Sequence, residues 1–411
     1  MDVDGRMEAV RRLCSFKGRV AGTDAERRAA GWLAERLHEG GRRAEIESIY
    51  VQPRWALVHA THCLLALVGS LVALESPAVG FAIVLATAFS MYLDLNARFY
   101  LLRRLFFRRA SQNVVSPGPR PDAPGRVILC ANYDTARTGA AYRPVYRRRA
   151  DALARLLPFP FSPARLVFWS IALLLPALGL RMAGIEENWI SILQLPPTLI
   201  LLVAIFMLVD IELSPASPGA NHNASGVATA LSVAEELDRD PPEHLDVWVV
   251  FPGAGETLAE GMRAFVRRNR DELDPERTWF AELEAVGDGD VRFAVSQGRV
   301  VSFGMVSRLT ELCAAIADAD REQANVYRAR PLHSGFSSGS LPALLAKYQA
   351  TTITCLRPGE LVPAGYRTAA DVPEALDPEA LERAHGFALD LVRALDGDLA
   401  RRGERDASVV G

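Results

Sequence analysis

The residues best equipped for chemistry follow apolar runs in short polar stretches. Pro218 to Leu237 reads PGANHNASGVATALSVAEEL, a Gly/Asn/Ser-rich loop (Gly219 to Gly226) that leads into an amphipathic helix. Free backbone amides at such a helix start suit small ligands and anions. Asn132-Tyr133-Asp134-Thr135 closes the apolar run RVILCA, and Gly253-Ala-Gly-Glu256 closes LDVWVVF. Glu282 and Glu284 lie within WFAELEAV. Imidazole and carboxylate groups bind ions and move protons, and open α/β sheets place their sites just beyond strand ends.

The elements that must position these groups alternate. Thr23 and Glu26 form a capping-box pattern ahead of Ala29, Trp32, Leu33 and Leu37, and Gly40-Gly41 stops that helix. Arg43 to Val51 alternates as a half-buried strand, and strands are also predicted over 126–131, 245–251, 279–286 and 350–356. A helix follows Glu256, and Asp377-Pro378 starts a terminal amphipathic helix carrying Leu381, Ala384, Ala388, Leu391 and Leu395. This order predicts an α/β fold: a mostly parallel sheet with helices on both faces.

Two insertions interrupt it. Trp55 to Leu74 and Ala78 to Leu93 are apolar and joined by Glu75-Ser76-Pro77; Leu166 to Ile185 and Trp189 to Val209 form a second pair around Glu186 and Glu187. Their lengths predict two transmembrane helical hairpins, kinked at Pro176 and Pro196-Pro197. Arg98, Arg103, Arg104, Arg108 and Arg109 follow the first hairpin, while Arg143, Arg147, Arg148, Arg149, Arg155 and Arg165 precede the second. By the positive-inside rule the soluble part is cytoplasmic, which predicts a multi-pass protein of the cell membrane. One discontinuous cytoplasmic domain is expected from 1–54, 99–165 and 210–411, with hairpins at 55–98 and 166–209. His59 and His62 share one helix face near the cytoplasmic end, where an interfacial, hydrogen-bonded role is expected. No buried charge pattern in the helices points to transport.

A chain of 411 residues with a formal charge of −3 does not suggest nucleic-acid binding. Its five cysteines are scattered, without disulfide or metal spacing, and read as buried apolar residues. The N-terminal MDVDGRMEAV has no apolar core of a secretory signal.

The soluble remainder resembles the di-zinc aminopeptidases of metallopeptidase family 28, relatives of the glutaminyl cyclases. The similarity runs through RVAGTDAERRAAGWLAERL, NVVSPGP, ILCANYDT, PGANHNASGVA, VVFPGAGE, AELEAVGDG, HSGFSSGSLPAL and YRTAADVPEALDPEALERA. The resemblance implies a role for each position. Asp134 keeps the place of the orienting catalytic Asp, but the ligand His two residues before it is Asn132. The bridging Asp falls on His222. The Glu-Glu pair falls on Gly255-Glu256, so a metal-binding Glu stays and the general base is lost. The next Asp ligand falls on Glu284, and the last His ligand on Arg367, after Tyr366.

A guanidinium is permanently charged and has no lone pair to offer a metal. Arg367 is therefore expected to pair with Glu256 in the space of a lost zinc. No metal is expected; a single weak zinc at His222 and Glu284, with Asn132 as a poor oxygen donor, is the alternative. Asp134 and His222 are expected to form a plain hydrogen-bonded pair. Glu282 and His333-Ser334 are expected to add polar groups near the pocket. The resulting expectation is a membrane-anchored pseudo-peptidase that binds a peptide or protein. An active hydrolase with a remodelled one-zinc site is the second reading.

Overall fold

The computed structural model describes the backbone of residues 1–156, 162–185 and 187–410. Side chains at 148, 150, 151, 153–155 and 404–410 lie outside the described set. The expectations for Glu186, and for the side chains of Arg148 and Arg155, therefore fall outside the described residues.

Unbroken apolar runs at the centre and more polar stretches at the flanks form a sheet of nine strands among the described residues: β1 (Glu45–Val51), β2 (Arg109–Ser116), β3 (Gly125–Cys130), β4 (Leu245–Phe251), β5 (Thr278–Leu283), β6 (Asp290–Gln297), β7 (Phe303–Gly304), β8 (Arg330–His333) and β9 (Gln349–Leu356). Their order is β1-β2-β4-β3-β5-β9-β6-β7, with β8 also paired to β6. The centre, β4-β3-β5-β9, is parallel, and β3, β4 and β5 are buried along their whole length except for Arg126. The flanks are not: β1/β2, β2/β4, β6/β9 and β6/β7 are antiparallel, so the sheet is mixed rather than mostly parallel. For β6 the reason is connection length. Only residues 284–289 join β5 to β6, too few for the crossover that a parallel return requires.

Helices α1 (Val3–Ser15), α2 (Asp24–Glu39), α8 (Ser225–Arg239), α10 (Arg308–Glu322) and α12 (Pro378–Val410) supply one large apolar core with the sheet. On the opposite face α9 (Glu260–Arg268) and α11 (Leu341–Leu345) pack against a second core around Phe265 and Phe280. Thr23 caps α2 by accepting from the Glu26 amide at 3.3 Å. The Glu26 carboxylate does not close a local box. It accepts from Gly22, Ser111 and the amide of Ala254, thereby bracing the loop after β4.

The apolar insertions form α3 (Trp55–Val72), α4 (Pro77–Leu95), α6 (Pro163–Met182) and α7 (Asn188–Leu213), with α5 (Pro144–Leu156) ahead of the second pair. Each of these four is long and apolar enough to cross a membrane. The α7 helix runs past the boundary expected at 209, because Asp210 caps residue 140 with its carboxylate and stays helical. The bundle packs as α3–α4, α4–α6, α6–α7 and α7–α3. Its outer faces are bare: only 17% of the apolar stretch of α7 is buried, and Phe89, Trp169, Leu195 and Phe206 are exposed.

The bundle does contain buried charge, contrary to the expectation from sequence. His59 and Asp94 lie 2.8 Å apart, Arg103 donates to both Asp94 oxygens at 2.7 and 2.9 Å, and its Nη1 donates to Glu260 at 2.9 Å. Asp94 sits at the last turn of α4, just past the expected apolar run, and Arg103 belongs to the Arg cluster expected on the cytoplasmic side. His59 and His62 are buried and hydrogen-bonded, His62 to Val58 and Ser90.

Candidate functional site

The parallel centre of the sheet delivers three strand ends to one edge, and each hands on a polar residue. β3 leads to Asn132 and Asp134, β4 to Gly255 and Glu256, and β5 to Glu284. Facing them, a π-helical turn over Ala220–Ala224 presents His222. Gly219 begins that turn in the left-handed region, φ 69°, and the Asp371 carboxylate accepts from the amides of Asn221 and His222 at 2.6 and 3.3 Å. Buried Arg19 donates to the carbonyls of Tyr133, Pro218 and Gly219, tying two of the loops together. Non-glycine residues lining the cleft also hold positive φ, among them Ala97 at 52°, Leu258 at 66°, Ala259 at 56° and Arg367 at 53°. Such backbone costs about 1–3 kcal/mol per residue and persists where surrounding contacts dictate it.

Asn132, His222, Gly255, Glu256, Glu284, Tyr366 and Arg367 line one cleft. Glu256 is its hub. Its Oε1 lies 2.8 Å from His222 Nε2 and accepts from Asn223 at 3.2 Å, and its Oε2 accepts from Arg367 Nη2 at 2.6 Å. Arg367 is buried, donates to the Tyr142 hydroxyl at 2.8 Å, and lies over the rings of Trp55, Tyr142 and Tyr366. The ion pair expected between Arg367 and Glu256 is therefore present.

Asp134 and His222 do not form the expected pair. Asp134 lies beneath the cleft and accepts from the amides of Gly255 and Glu256 at 2.7 and 3.1 Å and from Asn132 at 3.4 Å. The strand-end loop offers it two backbone donors, while His222 has the stronger partner in ionised Glu256. His333 also departs from expectation. Alternation along β8 sends Leu332 and Ser334 to the cleft, whereas His333 is exposed and bonded to Ser296. Glu282 is buried and accepts from the Ser340 amide and the Thr352 hydroxyl, both at 2.8 Å.

Protonation follows from this geometry. Burial would lower the His222 pKa, but Glu256 outweighs it and raises the value to about 9. Burial opposes ionisation of Glu256, yet His222 and Arg367 hold its carboxyl well below the usual carboxylate range. Burial and then Glu282 push Glu284 up, and burial and then Glu256 push Asp134 up. At neutral pH the cleft holds an imidazolium, a guanidinium and one firmly ionised carboxylate.

This donor set does not fit a two-zinc centre. Both Glu256 oxygens are already engaged by cationic or amide donors, and Arg367 brings a positive charge to the place a cation would occupy. Among the described residues, no group of three or more His, Cys, Asp or Glu side chains is arranged to hold a metal ion. A side chain at position 255 is also excluded sterically: a Cβ at Gly255 would come within 2.4 Å of the Asn132 Cβ. One feature points the other way. His222 Nδ1 is buried without a hydrogen-bond partner and lies 4.0 Å from Glu284 Oε1.

Sequence reasoning missed Tyr142, Trp55, Asn223 and Arg299, which join or border the cleft. Tyr142 lies in an Arg-rich stretch and Trp55 opens an apolar run, so neither carried a local signal. Asn223 is the exception, since it sits one residue after His222 in the polar loop.

Residues 207–392 match Peptidase family M28. No curated protein matches the chain. Among solved structures, LapB from Legionella pneumophila is similar at 11% identity and TM-score 0.53, over 96% of this chain and 72% of that one. A glutaminyl cyclase from Bacteroides thetaiotaomicron, bound to N-acetylhistamine, gives 14% identity and TM-score 0.53, over 95% and 97% of the two chains. A Zn-dependent exopeptidase from Parabacteroides distasonis gives 13% identity and TM-score 0.54 over the same shares. At these identities the likeness is one of fold.

Proposed function

We propose that this chain, M28-like over residues 207–392 and shaped like zinc exopeptidases and glutaminyl cyclases, is a membrane-anchored pseudo-peptidase. Its soluble unit (1–54, 99–165 and 210–411) lies on the cytoplasmic side of the cell membrane, held by hairpins at 55–98 and 166–209. It binds a peptide or protein at the rim of the old cleft rather than cleaving it. The observation that carries this reading is the Arg367–Glu256 contact of 2.6 Å between two buried side chains. Hydrolysis by a metal needs about three protein ligands, an open position for water and a base to activate it. Here one retained ligand is spent on a guanidinium, and the base is a glycine. The free space left in the cleft is about 90 Å³, well under the roughly 300–1,000 Å³ of ordinary small-molecule sites, so at most one side chain or chain end enters.

The test is metal analysis of the purified full-length chain together with an aminopeptidase assay on a panel of aminoacyl substrates. Zinc well below one ion per chain and no zinc-dependent cleavage are expected.

The second reading, a one-zinc hydrolase, draws on the unpartnered His222 Nδ1 facing Glu284. It supplies two protein donors where about three are needed. Stoichiometric zinc that is lost together with activity in His222→Ala would favour it.

A further inference from the structure

Beside the small cleft lies a much larger cavity, about 520 Å³, between the helical bundle and the soluble domain. Its walls are apolar side chains of the bundle, among them Val167 of α6 and Leu199, Val203 and Met207 of α7. Its inner end is different. Arg299 and Arg367 line it there, and both residues also line the cleft. Arg299 donates through Nε to Ser337 at 2.7 Å, and among the described residues it forms no ion pair. Arg367 already shares Glu256 with His222. Arg299 and Arg367 thus bring two guanidiniums to an apolar chamber that no carboxylate lines among the described residues; Arg367 is paired with Glu256 of the cleft, and Arg147, which also lines the chamber, is paired with Glu360.

We infer that this cavity binds an anionic lipid of the surrounding bilayer, its acyl chain between α6 and α7 and its phosphate at Arg299. The inference rests on the membrane placement proposed above and goes beyond the peptide-binding reading. An apolar chamber alone would accept any lipid tail. The uncompensated guanidinium selects the headgroup, because removing its charge from water is costly unless an anion pairs with it. Burial, and then Arg367, lower the pKa of Arg299, a direction that a bound anion would reverse. A planar guanidinium fixed at Nε keeps its other nitrogens for paired hydrogen bonds to phosphate oxygens.

The test reconstitutes the full chain in nanodiscs of phosphatidylcholine, with or without phosphatidylglycerol, and counts retained lipid by native mass spectrometry after extraction. Phosphatidylglycerol should be retained in preference to phosphatidylcholine by about tenfold or more, the scale of charge-assisted hydrogen bonds. Arg299→Gln should bring that preference close to one. Val203→Trp, which fills the chamber, should remove retained lipid of both kinds, and inorganic phosphate should not displace it. Equal retention of the two lipids, or a preference that neither substitution changes, would mean lipid around the bundle only and would overturn the inference. A chain that stays in solution without detergent or nanodisc would instead remove the membrane placement, and the inference with it.

Discussion

At the scale of single residues, Glu256 decides what the cleft can do, because three donors converge on its carboxylate. Removing one partner of a buried pair strands the other, which typically costs about 3–5 kcal/mol. Arg367→Gln should therefore lower the unfolding free energy by about that amount, read as a drop in Tm in detergent, and should not create peptidase activity. Gly255→Glu should also fail to restore hydrolysis. Its Cβ would press on Asn132, and overpacking of this kind costs about 1–3 kcal/mol. The imidazole adds a pH dependence. Its ordinary pKa of 6.5 is raised to about 9 in the fold, so the stability it contributes is complete below the unfolded value and disappears as pH rises through the folded one. Melting temperature should therefore fall between about pH 6.5 and pH 9, and the fall should be smaller in His222→Gln. The pairing of Arg367 with Glu256 was legible at this scale, because each residue lies in a short polar motif. The direct partners of His222 and Asp134 were not. Choosing between Glu256 and Asp134 depends on which loop amides are free, and that is settled only when β3 and β4 are paired.

At the scale of elements, the first helical hairpin is coupled to the α/β part of the chain by His59–Asp94–Arg103–Glu260. Arg103 is buried between two carboxylates, and Glu260 opens α9, which packs on the second core. Burial raises the Glu260 pKa to about 7 despite Arg103, so docking depends on a closely balanced set of charges. Asp94→Asn should loosen the hairpin: amide hydrogen exchange over Leu102–Leu105 should quicken, with a loss of about 3–5 kcal/mol. Replacing the pair together, Asp94→Leu with Arg103→Met, should recover most of that loss, since apolar substitutes remove the need to pair buried charges. An unchanged exchange pattern in Asp94→Asn would count against this coupling. The strands at the parallel centre could be read from composition, because both their faces are buried and their runs are unbroken. The flanking strands β6 and β8 could not. They carry Arg292 and Arg330 among short apolar stretches, and the direction of β6 is set by the short link from β5 rather than by side-chain pattern.

At the scale of the whole molecule, two features meet: an α/β fold like that of a zinc exopeptidase and four apolar helices whose outer faces are bare. The hairpins could be read from length and apolarity alone. Their junction with the cleft could not, since Trp55 and Tyr142 come from the two insertions' flanks and meet only around Arg367. If both hairpins cross and return, a cysteine introduced at Ser76 should react with an impermeant thiol reagent in intact cells, whereas one at Glu39 should react only after permeabilisation. The reverse pattern would place the soluble domain outside. The central claim is that a guanidinium has taken the place of a catalytic ion, and zinc content measured alongside aminopeptidase turnover on purified wild type and His222→Ala tests it most directly. The account predicts zinc far below one per chain, with no turnover that chelation or the substitution changes. One or more tightly held zinc ions, lost together with measurable cleavage in His222→Ala, would contradict it.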